Sequence, residues 1–173
     1  YLSYFMLKIM KKINLIVLII FCYGFFSKLS SSELVIDIFG KEKVKTYKID
    51  DNNFFRIINS QSVFKTNTNL YGNSECAGTS EIYNKNAILN FIWELREGKN
   101  KAYYVIKNKN TESSKKDEVT ELAVNILFVG GSGRWKNLIG QKCSFVYFEY
   151  EERASHAKVK CEINDEILSL FKT

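Results

Sequence analysis

The chain has 173 residues, 46% of them hydrophobic and 14% aromatic, with 25 basic and 19 acidic side chains, nine Gly, four Cys, one His and no Pro. That length suits a single domain, and the balance of apolar and charged residues excludes wholesale disorder, collagen-like repeats and a polytopic membrane protein. Four of the lysines behind the net charge of +6 (Lys8, Lys11, Lys12 and Lys28) fall in the first 32 residues, which hold no acid; positions 33–173 keep 21 basic against 19 acidic residues, so nucleic acid is not indicated as a partner.

The first element in chain order is an export signal. Tyr1 stands where an initiator Met is expected, and the residues ahead of Met6 or Met10 read as translated upstream sequence. Lys11 and Lys12 are followed by the apolar run 13–26 and then by Ser27, Lys28 and Ser30 to Ser32, the basic, apolar and small-residue order of a secretory signal helix. The apolar run is short of the roughly 20 residues of a permanent anchor. Positions 1–32 are therefore assigned to upstream residues and signal peptide, and 33–173 to one domain that is exported to a periplasmic or extracellular space, touching membrane only through the signal segment if that stays uncleaved.

Beyond Ser32, period-two alternation recurs, with β-branched and aromatic residues between Asn, Gly, Ser and Lys clusters, which predicts an all-β antiparallel fold. Candidate strands are 42–49, 54–66, 75–83, 87–96, 102–109, 119–129, 141–150 and 156–163, with 110–118 as the one long polar loop. Eight strands suit a closed barrel, which removes exposed edges. The alternation points Leu89, Phe91, Trp93 and Leu95 inward, and likewise Leu122, Val124, Ile126 and Phe128, and Ala157, Val159, Cys161 and Ile163. The lysines of 41–48 read as a solvated strand face.

The glycine-rich run Gly130-Gly131-Ser132-Gly133-Arg134-Trp135 continues to Gly140 and opens straight into the next strand. Its glycines permit a tight reversal, and Trp135 and Leu138 are spaced to turn inward and plug one barrel end. A phosphate cradle needs a following helix, which this run lacks. A hairpin centred near Glu152 sets Cys143 opposite Cys161, Phe145 opposite Val159 and Tyr147 opposite Ala157. Export makes a Cys143–Cys161 bridge expected, worth about 3 kcal/mol for a loop of this length; the alternative is two reduced cysteines packed as small apolar residues. Cys76 is left as a spare thiol without a base nearby in sequence. After Ile163, Asn164 can cap a short C-terminal helix whose Ile167, Leu168, Leu170 and Phe171 pack on the barrel.

Gly130, Gly131, Gly133, Trp135 and Gly140 resemble the Gly-Gly-Ser/Thr-Gly, aromatic, then Gly signature of the allene oxide cyclase and dirigent β-barrels. The run is also similar to small exported bacterial proteins of unassigned role that carry this turn followed by paired cysteines. The specific similarity covers about residues 129–161. It implies an eight-stranded antiparallel barrel in which those five residues serve as structural turn and plug. The cyclase's catalytic groups lie outside this motif, so no activity is implied.

His156 is the only histidine and falls on an outward strand position opposite Phe148, which leaves His-type metal sites and Ser-His or Cys-His nucleophile sets without material. No metal and no cofactor are expected. Trp93, Tyr103, Tyr104 and Tyr147 are candidates to line a cavity for a small apolar ligand, although such side chains also serve to fill a barrel this size. Glu149 shares the inward phase of Cys143, Phe145 and Tyr147 near the end of its strand, so Glu149 and Tyr147 are the candidate acid–base groups; a wet Glu149 on a twisted strand end is the plainer alternative. Two functions stay open: a non-catalytic exported barrel that binds a small apolar molecule or a protein, and a cyclase- or isomerase-like enzyme that uses the barrel cavity.

Overall fold

The computed structural model describes residues 31–83, 86–111, 114–116, 119–150 and 153–172. The expected signal segment lies outside the described residues, apart from its last two serines. Ser31–Thr173 form one compact unit.

Among the described residues nine strands run in order: β1 (Ser31–Lys48), β2 (Asn53–Thr66), β3 (Tyr71–Tyr83), β4 (Asn86–Glu97), β5 (Asn100–Thr111), β6 (Ser114–Lys116), β7 (Val119–Gly131), β8 (Lys142–Glu149) and β9 (Ala154–Asn164). A 3-10 helix (Gly133–Leu138) joins β7 to β8, and a single-turn helix α1 (Asp165–Ser169) follows β9. Every pairing is antiparallel, in the spatial order β5-β4-β3-β2-β1-β9-β8-β7-β6. β5 also pairs with β7, from Ala102↔Gly131 to Val105↔Leu127, and this contact shuts the sheet into an eight-stranded barrel. Closure is clamped where Ser132 N donates to Lys101 O and Lys101 N donates to Ser132 Oγ, both at 2.8 Å. The short β6 is a flap on the edge of β7. It corrects the expected loop over 110–118: Asn110 and Thr111 finish β5, and Ser114–Lys116 turn back on Val119–Glu121.

Each of the eight expected strands corresponds to a stave of the barrel, and the inward sets on β4, β7 and β9 point where the alternation places them. Leu89, Phe91, Trp93 and Leu95 are buried, as are Val124, Ile126 and Phe128, and Ala157, Val159, Cys161 and Ile163. The largest departure is β1, which starts eleven residues before the expected 42. The strand is long because it serves two staggered neighbours: residues 36–48 pair with β2, whereas 31–41 pair with β9. Such an offset is what strand tilt in a closed barrel demands. Beyond the β2 ladder, Asn67 continues it by accepting from Val35 N (3.1 Å) and donating to Glu33 O (2.8 Å). Leu34, Ile36 and Ile38 of this extension belong to the core.

The two barrel ends differ. At the end formed by the β2–β3, β4–β5 and β7–β8 links, Trp135 and Leu138 turn inward and are completely buried. The Trp135 ring meets Phe64 and Phe171 edge-on, with centroids 5.9 and 5.1 Å away, and its Nε1 donates to Glu97 Oε2 at 2.9 Å. Gly133 (φ +57°) and Gly140 (φ +86°) sit in left-handed backbone at the two reversals around the plug, where a side chain would be strained. Gly130 and Gly131 end β7, and a Cβ on Gly131 would lie 2.9 Å from the Trp135 backbone. In α1, Asn164 Oδ1 accepts from Ile167 N at 2.7 Å, as the capping reading expects. Phe171 reaches the plug and Ile167 and Leu168 pack on the core, while Leu170 points to solvent at 46% exposure instead of packing.

Candidate functional site

The opposite end, where the β1–β2, β3–β4 and β8–β9 links lie, carries a cavity of about 120 Å³ that runs into the barrel. Its wall is apolar: Ile58 from β2, Leu89, Phe91 and Trp93 from β4, Ile106 from β5 and Phe145 from β8. An aromatic layer underlies it. Trp93 stacks on Tyr104 (5.4 Å, 7° between planes) and tilts against Phe145 (5.3 Å), and Tyr104 meets Phe128 at 5.4 Å.

The rim is polar and comes from three strands. Glu42 of β1, Arg56 of β2 and Tyr147 and Glu149 of β8 all line the cavity. Each is there because of strand phase. Glu42 continues the inward series Leu34, Ile36, Ile38; Arg56 continues Phe64, Ser60, Ile58; and Tyr147 and Glu149 continue Cys143, Phe145. Burial pushes the Glu42 carboxyl above its ordinary 4.5; the Tyr147 hydroxyl pulls the other way, the Glu149 charge adds to the rise, and the Arg153 and Arg56 charges oppose it. Tyr147 is held firmly protonated, first by burial and then by the Glu42 charge. Its Oη stands close to that carboxyl yet makes no hydrogen bond of ordinary geometry among the described residues, and Arg56 Nε is likewise buried without a partner there. Glu149 is engaged by Arg153, whose Nη1 donates to Oε1 at 3.0 Å.

Cys76 is the free cysteine among the described residues and reaches the cavity from β3. Burial drives its thiol far up, Glu42 adding to the effect and the Ser60 hydroxyl opposing it. A thiol so placed is a small apolar wall group rather than a nucleophile.

Of the residues singled out in the sequence, Trp93, Tyr147 and Glu149 converge on the cavity. Tyr103 does not. It stands on the outer face of β5, beside Ile92, Glu94 and Glu75, while its neighbour Tyr104 takes the inward position and is fully buried in the aromatic layer. Cys143 and Cys161 are bonded, on the register drawn from the hairpin, with Phe145↔Val159 and Tyr147↔Ala157 as neighbours. His156 is outside the barrel wall opposite Phe148; its ring stacks on Phe39 (4.5 Å), and Nε2 lies 3.0 Å from Asp37 Oδ1. Gly130, Gly131, Gly133, Trp135 and Gly140 lie at the plugged end. No cluster of three or more His, Cys, Asp or Glu side chains among the described residues is arranged to hold a metal ion.

Glu42 and Arg56 carry the rim and were not singled out in the sequence. For Glu42 the signal was available: the alternation Leu34, Ile36, Ile38, counted forward by twos through Gly40, puts it inside. No family model, no curated protein and no solved structure matches this chain.

Proposed function

We propose that this chain is an exported, non-catalytic β-barrel that binds a small, largely apolar molecule at its open end. One observation carries the reading: a barrel stoppered by Trp135 at one end holds a cavity at the other, with an apolar wall and a short polar rim, which is the usual build of a small-molecule site. Its 120 Å³ compares with the roughly 150 Å³ of an apolar cavity that accepts benzene, so the ligand, or the part of it that enters, is about the size of one ring. Export is supported by the order of charge, apolar run and serines in 1–32 and by the Cys143–Cys161 bond, which oxidising compartments permit. Kinship with the allene oxide cyclase and dirigent barrels is part of the same proposal, and its support is the Gly130–Gly140 turn together with eight-stranded closure.

The test is a titration of isotope-labelled protein with benzene or methylcyclohexane, read from the methyl signals of Ile58, Leu89 and Ile106. Saturable shifts confined to these and the other cavity-lining methyls, those of Ile82, Ala87 and Leu122, are expected; unchanged spectra at the solubility limit of both probes would sink the proposal. A second reading, a cyclase- or isomerase-like enzyme, draws on a separate observation: a carboxyl whose proton is held more tightly by burial, Glu42, shares the rim with Tyr147 and Glu149, and such a group suits a general-acid or general-base role. Its mark is turnover that Glu42→Gln abolishes while ligand affinity is kept.

A further inference from the structure

The rim sorts by hydrogen-bonding sense, and that sense selects a ligand. Arg56 Nε can only donate, and it is buried at the cavity without an acceptor among the described residues. Tyr147 Oη, also buried and without a hydrogen bond of ordinary geometry, has its proton held firmly in place and is the second donor. Donors left unpaired away from water are costly, and a ligand that supplies an acceptor recovers that cost on binding.

Charge narrows the choice. Glu149 is matched by Arg153, and the Glu42 carboxyl lines the same rim as Arg56 with its neutral form favoured by burial. An anionic ligand group would meet the Glu149 carboxylate beside its donors and would oppose any ionisation of Glu42. A cationic one would meet Arg56 and Arg153, and it would satisfy neither unpaired donor. A neutral oxygen acceptor meets neither conflict.

Resting on the binding reading above, we infer that the ligand is a small hydrocarbon carrying a neutral carbonyl oxygen, which accepts hydrogen bonds from Arg56 and Tyr147 at the rim while the hydrocarbon part lies against Leu89, Phe91 and Trp93.

The test compares four probes of nearly one shape: cyclohexanone, methylenecyclohexane, cyclohexylammonium and cyclohexanecarboxylate. Their dissociation constants are measured by chemical-shift titration on the wild-type chain and on Arg56→Met and Tyr147→Phe, whose folding is checked from their amide spectra. The ketone is expected to bind the wild type at least tenfold more tightly than methylenecyclohexane and more tightly than either ion, and each variant is expected to shrink the ketone's advantage threefold or more while leaving the hydrocarbon's affinity in place. Equal affinities for ketone and hydrocarbon, or preference for an ion, would overturn the carbonyl assignment and leave apolar binding standing. Failure of all four probes to bind would overturn both. The ratio between ketone and hydrocarbon on the wild type decides the matter even if a variant does not fold.

Discussion

Glu42 owes its chemistry to strand phase. It is an acid in a run of lysines, Lys41, Lys43 and Lys45, and in isolation reads as one more group on a wet surface; the pleat turns those lysines outward and places Glu42 among apolar side chains. Burial then favours its neutral form, so the folded state holds a proton at pH values where the unfolded chain has released it. The sign follows directly. The stabilising preference is complete below the ordinary value of 4.5 and is lost as pH rises through the elevated folded-state value. We therefore predict that Glu42→Gln, which keeps the shape and removes the titration, flattens the fall in melting temperature from about pH 4 to about pH 8 and leaves the variant more stable than wild type at the upper end. Thermal melts of both proteins across that range test it; parallel curves would mean that the Glu42 carboxyl stays hydrated in the folded state.

Hairpins and bridges are decided at the scale of the element. The β8–β9 register could be read from sequence because one short connection separates two clean alternations, and a single offset then fixes every pair, Cys143 with Cys161 included. β1 was legible in part only. Its apolar residues Leu34, Ile36 and Ile38 follow closely on the export-like segment, and their alternation is too brief to announce a strand of 18 residues. The barrel supplies the missing reason, because β1 must reach β9 with one half and β2 with the other, a demand that exists only after closure. The site suffered from the same gap: Tyr147, Glu149 and Trp93 lie on strands whose phase was clear, whereas Glu42 lies on the one whose start was missed. For Tyr103 and Tyr104, adjacent aromatics offered two faces, and the burial of Tyr104 chose between them. The bridge closes a segment of 18 residues between two staves, and the chain-entropy relation gives about 3 kcal/mol for such a loop. We expect the double variant Cys143→Ala, Cys161→Ala to lose roughly 2–4 kcal/mol in urea unfolding and still to form the barrel, since both positions are buried beside Val159, Phe145 and Ile126, whose packing does not depend on the sulfur bond. A variant with no cooperative transition would show that the bridge, rather than closure of β5 on β7, holds the sheet shut.

Considered as a whole, the molecule separates what keeps it folded from what it offers to solvent. Trp135, Leu138 and Phe171 fill the end near the glycine-rich turn; Glu42, Arg56, Tyr147 and Glu149 edge the other; and the rings of Trp93, Tyr104, Phe128 and Phe145 form a layer within the barrel. Perturbations at well-separated sites without shared partners add nearly independently, so a lesion at the stopper should be felt as lost stability and not as lost affinity. Trp135→Ala removes a fully buried indole that touches Phe64 and Phe171 and frees Glu97 from its hydrogen bond, a change of the kind that costs about 3–5 kcal/mol. The prediction is a large drop in urea midpoint with the dissociation constant for cyclohexanone or methylcyclohexane unchanged within about twofold, both measured well below the variant's melting temperature. Weakening of both together, in a variant that still gives a dispersed amide spectrum, would mean that the aromatic layer transmits the loss from stopper to rim, and that the cavity is held open by the plug at the far end of the barrel.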